Sequence, residues 1–324
     1  MTDIPTAITT YKGFEKNWSC RGFQYEIGKT YTHDGAIVRC TDAGFHSCLM
    51  PFDVWNYYPL STSVFATVEA GGKVDHAGEG EDSKIASASI TIRAEIHLPD
   101  MIRAAVDWIV ARAKENIGTG DSGHAAATGN SGHAAATGDS GHAAATGYRG
   151  YAAATGYRGH AAATGDRGHA AAIGDSGHAA ATGDRGHAAA TGYSGHAAAT
   201  GYRGHAAATG NGGHAAATGD RGHAAATGDS GHAAATGYSG HAAATGDSGH
   251  AAATGDSGIA ASLGINATAM AGEDGWIVLA AWADTDNGWQ IATVRTARVG
   301  GPEGVKAGVS YRLTADGVFL ECAA

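Results

Sequence analysis

From His124 to His250 the chain carries one imidazole every nine residues, broken once, at Tyr151. Imidazole is the commonest metal ligand and titrates near neutrality. A column of such rings offers transition-metal binding, and mutual repulsion would lower its pKa values and make it respond to pH. Each histidine is followed by Ala-Ala-Ala-Thr, so hydroxyls recur at the same interval: His124 with Thr128, His133 with Thr137, His142 with Thr146. Threonine columns are also how ice-binding solenoids order water, but those pair two threonines per strand, and here each strand has one. A second group, Cys20, Cys40, His46 and Cys48, has the composition of a Cys3His zinc site. Its spacing is irregular and no Cys-x-x-Cys occurs. The commoner arrangement is buried free thiols beside a histidine at the core edge.

The element that must position the histidines is the unit Gly-x-x-Gly-His-Ala-Ala-Ala-Thr, repeated fifteen times from Gly120 to Thr254. The second position is Asp, Asn or Tyr and the third is Ser or Arg, with Gly212 once; Ile173 replaces one threonine. A short fixed period means that each unit cannot bury its apolar face alone and must stack. Gly-x-x-Gly reads as a turn. Glycines recur too often for a helix to nucleate, so His-Ala-Ala-Ala-Thr reads as a strand with alternating faces. Burying unpartnered imidazoles is costly, which puts Ala125 and Ala127 inside and His124, Ala126 and Thr128 outside. Two units per coil, roughly 18 residues, give two five-residue strands and two turns, and about seven and a half coils in all. The fold class that follows is mainly β: a thin two-sheeted β-solenoid with an alanine core. A disordered Gly/Ala linker is the competing compositional reading. A calcium roll needs a recurring inward aliphatic and an Asp in every unit; Tyr148, Tyr157, Tyr193, Tyr202 and Tyr238 stand where that Asp would be, so calcium is rejected.

Three domains are expected: 1–118, 119–263 and 264–324. The first reads as α+β. Cys20–Tyr31 reads as a strand with a turn at Gly28, followed by strands at Ala36–Cys40, Ser63–Ala70 and Ile85–Leu98. A short helix is expected over Met50–Trp55 and a polar loop over Gly71–Asp82. A helix over about 99–116 has an apolar stripe (Ile102, Ala105, Val106, Ile109, Val110, Ala113), with Asp100 placed to cap it. This helix is expected to plug the open end of the solenoid. The last domain reads as a β-meander cap with turns at Asp286-Asn287-Gly288 and Ala315-Asp316-Gly317, its bulk coming from Trp276, Trp282, Trp289 and Tyr311.

Net charge is −10 and dispersed. No basic patch points to nucleic acid, and no apolar run is long enough for a membrane span. The start of the chain lacks a signal-peptide pattern, and four cysteines are too few for a disulfide scaffold. The expectation is a protein of the cytoplasm or a virion, with an unknown protein or surface as partner.

Tyr11-Lys12-Gly13-Phe14, Cys20 to Tyr31 (CRGFQYEIGKTY), Gly44-Phe45-His46-Ser47-Cys48 and Asp82 to Ser87 (DSKIAS) together resemble an uncharacterised family of phages and bacteria. Its members follow such a head with Ala/Thr/Gly repeats and a short β tail, so the resemblance spans nearly the whole chain. It implies a phage or prophage association and no established activity. The order Tyr-Lys-Gly, Gly-Phe-His-Ser, then Ala-Glu-Ile-His-Leu-Pro is also similar to the layout of ADP-ribosyltransferases. That similarity implies NAD as cofactor, with Lys12 or Arg21 at the phosphates, Ser47 at the nicotinamide pocket and Glu95 at the transferring sugar. Lysine does not replace arginine at a bidentate site, and His46-Ser47-Cys48 departs from the Ser-Thr-Ser pattern. The favoured reading is a non-enzymatic structural or binding rod without a cofactor. Its alternatives are an ADP-ribosyltransferase-like head on a rod, and an ice- or metal-binding face.

Overall fold

A computed structural model describes residues 7–60, 62–76, 83–113, 117–286 and 288–322. Asp82, the end of the expected helix at 114–116 and Asn287 in the expected hairpin turn lie outside the described residues. The chain divides into two compact units, 1–108 and 109–324.

The first unit is built on five main strands: β1 (Ile8–Glu15), and after the short pair β2 (Ser19–Cys20) and β3 (Phe23–Gln24), β4 (Thr30–Thr32), β5 (Phe45–Cys48), β6 (Ser63–Asp75) and β7 (Lys84–Glu95). β1 runs antiparallel to β6 along its length and touches β5 at Tyr11 and Cys48. β7 pairs with β5 and with β6, which closes the sheet on itself, while β4 adds to the outside of β7. Closure removes sheet edges, the usual weakness of a small antiparallel sheet. Phe14, Tyr25, Ala66, Val68, Ile90 and Ile92 fill one core of this unit. The expected strand at Ala36–Cys40 does not form. Glycines with positive φ, Gly35 and Gly44, bracket the segment, and Cys40 is itself left-handed at φ 62°. Only Ile37 in it is buried. β6 extends to Asp75, through the beginning of the expected loop. The short helix over Pro51–Asn56 is a 3-10 helix.

The helix α1 (Leu98–Ala113) spans the division between the units, and its stripe Ile102, Ala105, Val106, Ile109 and Ala113 is buried. Asp100 lies inside its first turn, where a carboxylate favours the helix dipole, and not at the cap position.

The second unit is the solenoid, about nine turns over residues 117–279. Each strand pairs in parallel with the strand 18 residues on, so His142 faces His124 and Thr146 faces Thr128. Two nine-residue units therefore make one coil. The strands alternate between two stacks, one containing His124–Thr128 and the other His133–Thr137. We call them the even and the odd sheet, after the parity of their first histidine. The coil count exceeds expectation because β8 (Ile117–Gly118), Ile259–Ser262, Thr268–Ala271 and Trp276–Leu279 continue the ladders beyond the pure repeat.

Inside, the first and third alanines of every unit form one continuous methyl core. At the turns, the Gly183 N–H donates to Thr200 O (2.9 Å) and the Arg185 N–H to Asp166 O (2.8 Å), so loops are laddered like strands. Gly183 has φ 143°, and a Cβ there would stand 1.7 Å from Gly165 O. The first glycine is thus fixed by neighbouring-coil backbone as well as by dihedral. At the far end Ile277 and Leu279 replace alanine in the core, joined by Val299, Val305 and Tyr311. Trp276 and Trp289, expected as the bulk of the cap, are 44% and 53% exposed. Trp276 stands on the outward side of its strand, opposite Ile277 and Leu279, and Trp289 lies near the start of the next strand, where residues 288–292 are exposed on both faces.

Ala181 inside and Asp175 at a turn tip test this packing. Ala181→Leu should lower stability by about 1–3 kcal/mol or more, since no neighbouring side chain can shrink. Asp175→Ala should stay within about 0.5 kcal/mol. Urea unfolding followed by circular dichroism reads both, and equal effects would mean the core is not close-packed.

Candidate functional site

Five sets of residues are candidates: a cleft in the head, two imidazole ladders, and the two turn edges.

The head cleft, about 790 Å³, is lined by Lys12, Arg21, Ser47 and the thiol-and-histidine group Cys20, Cys40, His46 and Cys48. Lys12 alternates inward on β1 and is buried; its ammonium donates to His46 O (3.1 Å) and to Cys20 Sγ (3.5 Å). It also stands over the rings of Phe14 and Tyr25. Burial lowers its pKa, opposed by the nearby Cys20 thiol. The Tyr58 hydroxyl donates to Cys20 Sγ (2.8 Å). Tyr58 lies flat on β1 because residue 13 is glycine: a Cβ there would be 2.4 Å from its ring. Burial, then the charges of Lys12, Lys84 and Arg21, push His46 down to about 4. The wall above is a cluster of mutually tilted rings, Phe23, Tyr25, Tyr31 and Phe45. Sequence reasoning missed these aromatics and Tyr58; the adjacent Tyr57-Tyr58 after a short helix was the available signal.

Ser47 is buried and accepts a hydrogen bond from the Thr10 hydroxyl (2.8 Å). Arg21 is exposed and paired with Asp42 at 2.6 Å. Glu95 does not line the cleft: it ends β7, whose other end, Lys84, does, and its carboxylate lies 3.9 Å from His97 Nδ1. The structure therefore gathers Lys12, Arg21 and Ser47 and leaves Glu95 apart. His46 Nε2 accepts from the Cys40 N–H (3.2 Å), and Cys20 is engaged by Lys12 and Tyr58. Among the described residues no three His, Cys, Asp or Glu side chains converge on a point that would hold a metal ion.

In the solenoid the rings stack at 4.7–5.0 Å, most within 10° of parallel, for example His178 on His196 at 4.8 Å and 3°. Parallel planes one rung apart point their lone pairs side by side, so a single ion does not meet two of them. The two sheets differ, although their repeat strands depart from one another only at Tyr151 and Ile173. On the even sheet His124, Thr128, His142 and Thr146 are exposed. On the odd sheet His133 and Thr137 are half-buried, while His169 and His187 are 1% and 0% exposed. Arg112, in the last turn of α1, acts electrostatically on Tyr151 and His133 of that side.

Reading the third turn position coil by coil separates the edges. One edge carries Arg149, Arg167, Arg185, Arg203 and Arg221 in consecutive coils, each N–H donating to the turn before it. Arg149 is buried, Arg167 and Arg185 are half-buried, and Arg203 and Arg221 are exposed, flanking Tyr202 at 5.7 Å each. The opposite edge has Ser140, Arg158, Ser176, Ser194, Gly212 and Ser230 there; aspartates occur on both edges, Asp166, Asp184 and Asp220 among the arginines and Asp121, Asp139, Asp175 and Asp229 opposite. This ladder was missed by reading in nines; its signal is an arginine spacing of 18.

Residues 8–104 match the profile of a domain of unknown function, DUF7666. The match covers the head without the repeat. No curated protein and no solved structure matches the chain.

Burial, then neighbouring charges, hold His187 and His205 well below their ordinary pKa, and burial with His241 takes His223 down to about 4. A depressed histidine favours the neutral form in the fold, so its contribution is complete above about pH 6.5 and is lost as pH falls towards 4. The urea midpoint should therefore drop between pH 7.5 and 5. Replacing His187 and His205 by Gln should flatten that slope; an unchanged slope would show that these rings do not titrate with unfolding.

Proposed function

We propose that the protein is a non-enzymatic binding rod whose solenoid presents the arginine edge to an acidic protein or surface. The observation that carries this is the ladder from Arg167 to Arg221: one arginine per coil on one edge, beside Asp166, Asp184 and Asp220, where the other edge has Arg158 alone among serines and Gly212. Repeat proteins recognise partners by varying side chains on a fixed scaffold, and only the turn tips vary here. The backbone brings these arginines to one edge at about 4.8 Å per coil, and each guanidinium can read a carboxylate in a bidentate manner. The likeness of the head and repeat to a phage and bacterial family supports a phage or prophage setting, in the cytoplasm or on a virion. The test uses polyglutamate as the probe. The full chain should bind it with an affinity that falls as salt rises, and replacing Arg167, Arg185, Arg203 and Arg221 by Ser should remove binding. Equal binding by both proteins would sink the proposal.

A second reading concerns the head. Lys12, Arg21 and Ser47 around one aromatic-walled cleft favour a pocket for an anionic, ring-containing ligand, with NAD the candidate under the ADP-ribosyltransferase resemblance. The remoteness of Glu95 speaks against transfer chemistry. On this reading NAD binds the full chain in calorimetry, Lys12→Met weakens it at least tenfold, and neither protein releases nicotinamide. Absence of heat with wild type removes the reading.

A further inference from the structure

Lys12 is a buried nucleophile, 5% exposed on β1 and part of the lining of the head cleft. Two surface lysines have counter-ions: Lys29 meets Glu26 and Lys306 meets Glu321, each at 2.7 Å. Among the described residues Lys12 has none. The carboxylates of the cleft are engaged elsewhere, Glu15 by the Ser19 hydroxyl (2.8 Å) and Asp42 by Arg21 (2.6 Å). An ammonium held out of water without a carboxylate is costly, which favours the neutral amine. Burial pulls the pKa of Lys12 down, whereas the hydrogen bonds to Glu26 and Glu321 pull Lys29 and Lys306 up. A neutral amine has two hydrogens and one lone pair. His46 O (3.1 Å) and Cys20 Sγ (3.5 Å) receive the hydrogens. The lone pair is left for the cleft. Lys84 shares the lining but stands over the Tyr57 ring at 4.3 Å, where the charged form is favoured.

The rest of the lining says what that lone pair would meet. The cleft, about 790 Å³, has the size of a small-molecule site. Phe23, in the wall of rings with Tyr25, Tyr31 and Phe45, is 48% exposed, so the wall is open to a planar ring. Arg21 and Lys84 stand on the same lining and can take an anionic substituent. A desolvated lysine condenses reversibly with a carbonyl group. Nitrogen attacks the carbonyl carbon, a C=N bond replaces C=O, and both amine hydrogens leave with the oxygen as one water. No oxidant, reductant or further reactant is needed. An aldehyde carbon is the least hindered carbonyl, which suits a buried nitrogen. We propose that Lys12 is a covalent capture site that holds a ring-bearing aldehyde with an anionic substituent as an imine. This rests on the ligand pocket of the second reading above, and not on NAD.

The probe is pyridoxal 5′-phosphate, a ring aldehyde that carries a phosphate. The full chain is treated at pH 7.5 with a limiting amount, reduced with borohydride and mapped by peptide mass spectrometry. Lys12 should carry roughly tenfold more label, or better, than Lys29 or Lys306. Label on Lys84 or spread over the surface lysines, with Lys12 spared, overturns the capture site. This map is read on the unaltered chain and depends on no variant folding. Lys12→Arg, which keeps a cation and removes the primary amine, should lose the visible absorbance of the imine with an unchanged β circular-dichroism spectrum. Full absorbance in folded Lys12→Arg overturns the proposal as well. Calorimetry with pyridoxine 5′-phosphate, the same ring and phosphate without the carbonyl, separates the pocket from the imine. Heat together with label on Lys12 supports both. Heat without that label leaves a ring pocket and removes the imine. Label without heat overturns the ligand class, and neither heat nor label removes pocket and imine together.

Discussion

The constraint on which the solenoid depends is steric: the space between the two sheets admits a methyl group and nothing larger. Ala181 or Ala190 contributes little apolar area, so the hydrophobic effect per coil is small. Backbone hydrogen bonds and close van der Waals contact must supply the rest, and both act only when every coil repeats the one before it. That demand explains the invariance of the glycines. Thr200 O receives the Gly183 N–H, and the carbonyl of Gly165 occupies the place a Gly183 side chain would need. Where the rule relaxes, at Ser262, Ile277 and Leu279, the solenoid is ending and other elements arrive to cover it.

Uniformity inside frees the outside. Positions whose side chains are not blocked by another coil's backbone are those that vary most, namely the two residues between the glycines. The faces are built from one sequence yet differ in surroundings: the rings of the odd sheet lie partly or wholly out of water, those of the even sheet largely in it. Ring stacking is the by-product of exact register, and divergent lone pairs make such a stack a poor chelator. The head follows a different logic. Its closed sheet holds a buried lysine against a backbone carbonyl, a thiol and two rings, an environment a solvent-facing lysine would not have.

Local rules read the repeat well. Glycine spacing set the turns, alternation put Ala125 and Ala127 inside, and strand length required two units per coil. What remained hidden depends on contacts between distant segments. Ala36–Cys40 has the composition of a strand, but left-handed residues at Gly35, Cys40 and Gly44 prevent it from pairing. Trp276 and Trp289 are among the largest side chains of the cap, yet parity points Trp276 outward and gives the core to Ile277 and Leu279, while Trp289 sits where both faces of its strand are exposed. Glu95 shares a strand with Lys84 of the cleft wall, but twelve residues of β-strand carry it away. The arginine edge was legible in principle, at a period twice the obvious one.

The coil of 18 residues has a consequence for how such a chain can change length. Near-identical units invite slippage during copying, and a slip removes or inserts nine residues as readily as eighteen. A double step preserves every downstream assignment of strand to sheet and of tip to edge. A single step sends each later arginine to the serine side and each later open histidine to the covered side. Arginines at 149, 167, 185, 203 and 221 keep one phase, and Arg158 alone stands on the other edge. Five of the six tip arginines thus stand where growth by whole coils would put them, a step longer than the motif the eye first finds.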